Sequence, residues 1–168
     1  MKFPRIDNAI SVCRSHLKAH GASSASIEEI KSYMVGYCLT IIYAEYEQKV
    51  RTIINKRASL PGSDASMQHF VKYFFSKKGV GRISVSDLGE TLSRFGPSCK
   101  RDFIADVVDK APHLSWDRII TARHSIAHQG GTNITFEELE LSYHDSRLIL
   151  LAFARAIGLS SAQIAECA

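Results

Sequence analysis

The chain has 168 residues, 45% hydrophobic and 23% charged, with a formal net charge of +4. That composition fits one globular domain able to bury a core without disulfide or metal staples, and excludes a low-complexity or strongly polybasic protein. No apolar run approaches the ~20 residues of a membrane helix and the first residues hold no apolar signal core, so a cytoplasmic protein with no membrane partner is expected.

From Pro4 to about Lys18, Ile6, Ile10, Cys13 and Leu17 recur at three- and four-residue spacing, one face of a helix that Gly21 stops. Ser26 and Glu29 then form a capping-box pattern, opening a long helix to about Arg57. Its apolar face holds Ile30, Met34, Tyr37, Cys38, Ile41, Ile42, Tyr46, Val50, Ile53 and Ile54, and Gly36 marks a close helix crossing. The four cysteines, Cys13, Cys38, Cys99 and Cys167, lie too far apart for a zinc knuckle, and the first two read as core residues.

Pro61-Gly62-Ser63 breaks the long helix, and a shorter one is expected from Asp64, carrying Met67, Phe70, Val71, Phe74 and Phe75. Lys77-Lys78-Gly79-Val80-Gly81-Arg82 is a basic loop. Ser84 caps the next helix, which ends at Phe95-Gly96-Pro97, and another runs from about Ser98 to Asp109. Ala111-Pro112-His113-Leu114 reads as a connector and Ser115 as the cap of a helix carrying Trp116, Ile119, Ile120, Arg123 and Ile126, with Asp117 in its first turn and a stop at Gly130-Gly131. Thr135 and Glu138 form a second capping box, opening a final long helix to Ile157; Ser160 to Cys167 adds a short turn. No strand or repeat is evident. The expected fold is all-α, a single-domain multi-helix bundle over residues 1–168.

Chemistry concentrates in Arg123-His124-Ser125-Ile126-Ala127-His128. A permanent guanidinium charge matches phosphate oxygens, and imidazole moves protons near neutral pH, so the cluster suits phosphodiester chemistry. On an ideal helix His124 and His128 share a face, whereas Arg123 and His128 stand about 140° apart. Reaching one phosphate with both requires either that the helix end near Ala127 and turn His128 back, or that a two-fold partner bring a second copy alongside. The residues alone also leave open a structural Arg123 with surface histidines at a helix C-terminus. A zinc site is disfavoured, because Ser125 stands where H-E-x-x-H has glutamate, and Ser125 lacks a nucleophile elbow.

R-H-S-I-A-H-Q-G at the end of a penultimate helix resembles the R-x-x-x-x-H signature of the HEPN superfamily. Tyr43-Ala44-Glu45-Tyr46-Glu47 resembles the Y-A-x-W-E run on the long early helix of some prokaryotic HEPN nucleases, with Tyr46 in place of tryptophan, and Leu92-Ser93-Arg94-Phe95-Gly96 also fits. The resemblance spans about residues 26–158. It implies an HEPN-like bundle that is a metal-independent, cofactor-free endoribonuclease working as a homodimer on an RNA substrate, a toxin or antiviral effector with a cognate antitoxin or regulatory protein as a further partner. It assigns Arg123 and His128 as the motif pair and Glu47 as the acid that orients Arg123, expected within salt-bridge distance of it. His124 takes the position after the arginine, often Asn or Asp there, and assists or holds substrate. The basic loop residues Lys77, Lys78 and Arg82 are expected at the mouth of a cleft between subunits. A catalytically inactive HEPN module for dimerisation or RNA or protein binding, and an unrelated helical adaptor, are the competing expectations.

Overall fold

The computed structural model describes residues 1–19, 25–60, 68, 71, 83–108, 110–129 and 133–167, the side chains of 25–27 and 129 excepted. These form seven helices and no strand: α1 (Pro4–Ala19), α2 (Ala25–Ala58), α3 (Val85–Ser93), α4 (Pro97–Val107), α5 (Ala111–Gln129), α6 (Phe136–Ala156) and α7 (Ser161–Glu166). Of the expected helix from Asp64 only Gln68 and Val71 are described, both in helical conformation; the basic loop, the stops at Gly21 and Gly130-Gly131, and the Ser26 side chain lie outside the described residues.

The centre of the bundle is α5 packed along α6, with α2 crossing both. Helix α1 covers α2, while α3 and α4 pack as a pair and α4 leans on α6. Along α2 the buried positions are Val35, Cys38, Leu39, Ile42, Tyr46, Val50, Ile53, Ile54 and Ala58, a helical stripe. It is narrower than expected: Ile30 and Tyr37, placed on the core face from sequence, are 40% and 58% exposed. Tyr37 lies about 100° of helix from Cys38 on the side away from Leu39 and Ile42, and so falls on the face opposite the stripe.

Four aromatic residues tie the bundle together. The Tyr46 and Trp116 rings stack with centroids 4.7 Å apart and planes 6° apart, joining α2 to α5. Phe3 meets Tyr46 and Tyr143 edge-on at 5.6 and 6.3 Å. Each polar tip is satisfied, as buried aromatic heteroatoms must be: the Tyr46 hydroxyl lies 2.6 Å from Ser146 Oγ, Tyr143 donates to Asp7 at 2.7 Å, and Trp116 Nε1 donates to the Ile83 carbonyl at 2.6 Å. Burial pushes both tyrosine hydroxyls well above their usual range. Cys13 and Cys38 are buried with sulfurs 3.8 Å apart, and burial, then the neighbouring thiol, raises Cys38 to about 12.

Side-chain caps set the starts of α3, α6 and α7. Thr135 Oγ1 accepts from the Glu138 amide while the Glu138 carboxylate accepts from the Thr135 amide, and Ser160 with Gln163 does the same for α7. Gly158, at φ +82°, takes the left-handed turn that ends α6. The motif helix starts earlier than expected. Its first residue is Ala111, so the supposed connector is its first turn and Ser115, the supposed cap, is inside it. The Lys110 carbonyl accepts from the His113 amide at 3.0 Å, and Pro112 lies in the first turn, where a missing amide hydrogen costs nothing. Asp117 accordingly pairs with His113 one turn earlier, Nε2 to Oδ2 at 3.1 Å.

Gly36 does lie opposite the motif helix, but not in a contact only glycine permits. A Cβ there would meet Ile126 Cδ1 at 3.6 Å, ordinary van der Waals contact. Gly36→Ala should therefore stabilise the fold by up to ~1 kcal/mol through helix propensity, read as a rise in the urea midpoint. A lower midpoint would mean that the crossing is tighter than this.

Candidate functional site at the C-terminal half of the motif helix

Arg123 follows Trp116 and Ile119 at helical spacing, so it emerges at the edge of the stripe that α5 buries. It is half-buried, and its guanidinium lies over the Tyr43 ring, 4.6 Å from the centroid. Cation–π attraction and the planar fit of guanidinium on ring restrict its rotamers. His124 and His128 project from the exposed side of α5 with ring centroids 4.3 Å apart, as i and i+4 neighbours should. Helix α5 continues through Gln129, so His128 is still helical and is not folded back toward Arg123. Of the two routes to a shared phosphate, the one within a single chain is closed.

Glu47 is not where the sequence reading put it. Its Oε1 accepts from Arg51 at 2.6 Å, an i to i+4 pair along α2, and no Glu47–Arg123 ion pair occurs among the described residues. Tyr43, one turn before Glu47, takes the place at Arg123 expected of the acid. The structure thus brings Arg123 to Tyr43 and His124 to His128, and leaves Glu47 one turn away in its own ion pair. Lys77, Lys78 and Arg82 lie outside the described residues.

Beside the motif lies an open cavity of about 570 Å³, lined by Tyr43, Ile120, Arg123 and His124 and, from the start of α3, by Ser84 and Asp87. Ser84 Oγ accepts from the Asp87 amide at 3.1 Å and donates to the Asp87 carboxylate. The sequence marks Ser84 only as the cap of α3 and gives Asp87 no role at the site, because nothing local says that α3 starts beside the motif helix. Among the described residues, no group of three or more His, Cys, Asp or Glu side chains is placed to hold a metal ion. No helix of the described residues is long and apolar enough to cross a membrane.

A family model described as RiboL-PSP-HEPN matches residues 6–158. The chain belongs to this HEPN family. The match takes in most of α1 as well as the stretch from α2 to α6, so α1 is part of the HEPN domain rather than an appendage. No curated protein and no solved structure matches the chain. Membership points to a nuclease or RNA-related function.

Proposed function

We propose that this HEPN domain is a metal-independent endoribonuclease acting on single-stranded RNA, with Arg123 and His128 as its catalytic pair. The observation that carries the reading is the half-buried Arg123 docked on Tyr43 at the wall of an open cavity that His124 also lines, with the exposed His128 ring 4.3 Å from that of His124.

RNA carries its own nucleophile, so the protein supplies position, charge and proton transfer. The ribose 2′-oxygen bonds to the adjacent phosphorus and the 5′-oxygen leaves, giving a 2′,3′-cyclic phosphate and a 5′-hydroxyl. His128 takes the 2′-hydroxyl proton or delivers one to the leaving oxygen. Arg123 offsets the extra negative charge of the five-coordinate phosphorus, and Tyr43 holds its guanidinium in place. His124 holds substrate or takes the second proton-transfer role. Because α5 keeps Arg123 and His128 on different sides, the working unit is a two-fold homodimer in which the arginine of one subunit meets the histidine of the other. Such an enzyme suits a toxin or antiviral effector held in check by a protein antitoxin.

The separation of Arg123 from His128 on one helix also favours a second reading, a non-catalytic module that binds RNA or protein. Incubation with single-stranded RNA in excess chelator separates the two. Cleavage should persist and should stop when the attacking hydroxyl is replaced by 2′-deoxy. Cutting of the deoxy analogue, or dependence on magnesium, would overturn the mechanism; intact RNA throughout would leave the binding module.

A further inference from the structure

The cavity beside Arg123 is built from two unlike halves. From α2 and α5 come the motif cation, His124, Tyr43 and Ile120; from the start of α3 come Ser84 and Asp87. Its volume of about 570 Å³ is in the range of small-molecule sites and leaves room for a nucleotide. A phosphate fits beside Arg123 but is repelled by Asp87. Asp87 can instead accept hydrogen bonds from the donors of a base edge.

We propose that this cavity is a base-recognition pocket in which Asp87 reads the paired donors of guanine, so that cleavage falls beside guanosine. The proposal rests on the ribonuclease reading above and adds its sequence preference.

The discrimination follows from the edges of the four bases. Single-stranded RNA presents its Watson–Crick edges to the protein. Guanine alone has two neighbouring donors there, N1–H and the N2 amine, which match the two oxygens of a carboxylate. Adenine and cytosine each set one amine beside a ring nitrogen that accepts, and uracil flanks its single N–H with two carbonyls, so all three bring an acceptor against the anion. The bond from Ser84 Oγ does not saturate Asp87, whose two oxygens provide about four acceptor sites. It fixes the carboxylate at the first turn of α3 instead, and α3 is itself placed by the Trp116 to Ile83 hydrogen bond. Ile120 and Tyr43 give the flat base apolar surface to lie against.

The test uses short single-stranded RNAs that differ at one nucleotide, with the wild-type chain. Cleavage beside guanosine should exceed that beside the other three by roughly 10- to 100-fold, the discrimination a good bidentate base contact gives. Inosine, which lacks the N2 amine, should lose most of that advantage, and this arm needs no variant. Asp87→Asn, folded by circular dichroism, presents one acceptor and one donor and should bring guanosine to within a few fold of the other nucleotides. Separately from cleavage, His128→Ala titrated with GMP, AMP, CMP and UMP should favour GMP, and the double variant with Asp87→Asn should not. Equal cleavage beside all four nucleotides, or a guanosine preference that survives both inosine and Asp87→Asn, overturns the proposal and leaves the nuclease standing. No cleavage of any RNA, with a GMP preference that depends on Asp87, supports the pocket and removes the nuclease reading.

Discussion

His128→Ala should lower RNA turnover by roughly 10²- to 10⁴-fold while RNA binding persists, because proton transfer contributes to rate and little to ground-state affinity. His128 is exposed at the end of α5 and buries no side chain, so the fold should be unchanged. Arg123→Ala should also lose turnover, but with weaker binding and a shallower salt dependence, since a phosphate contact disappears with it. The decisive arm mixes the two dead variants. In a two-fold dimer with composite sites, a mixed dimer pairs the intact arginine of one chain with the intact histidine of the other. One of its two sites is whole, and random exchange should restore about a quarter of wild-type activity. A mixture as inactive as its components would refute the composite site, and with it the explanation for Arg123 and His128 standing on different sides of one helix.

The helical order was legible because local signals agreed with the tertiary outcome. Thr135 with Glu138, and Ser84 before α3, are caps whose partners are three residues away, so the sequence contains both halves of each interaction. The start of α5 was misread where two local signals competed. Ser115 looks like a cap and Pro112 like a breaker, yet proline is compatible with a first turn and the Lys110 carbonyl begins the hydrogen bonding. In the site, Arg123, His124 and His128 stood out through their residue types and spacing. Their neighbours did not, because Tyr43 reaches Arg123 across 80 positions of sequence and Asp87 reaches the cavity from a separate helix. Glu47 illustrates the limit: a helix acid with Arg51 one turn later has a nearby partner, and that local pair formed instead of the long-range one.

Trp116 is where loss of a single side chain should do most damage to the fold. The indole is fully buried, stacked on Tyr46, and bonded through Nε1 to the Ile83 carbonyl, so it joins α2, α5 and the entry to α3 at one point. Trp116→Ala leaves a cavity at a cost of ~3–5 kcal/mol and strands a buried carbonyl at a further ~1–3 kcal/mol. A domain of this size is stable by only ~5–15 kcal/mol, so the variant should unfold at much lower urea or fail to fold. Trp116→Phe separates the two contributions. It retains much of the ring packing against Tyr46 and loses the hydrogen bond, so it should fold with a smaller loss. The Ile83 carbonyl is adjacent to Ser84, whose hydroxyl fixes Asp87. If the indole bond positions that end of α3, Trp116→Phe should weaken nucleotide discrimination in the cavity more than it weakens RNA binding. A Trp116→Phe protein with wild-type discrimination would confine Trp116 to the core and show that Ser84 and Asp87 are held by their own helix alone.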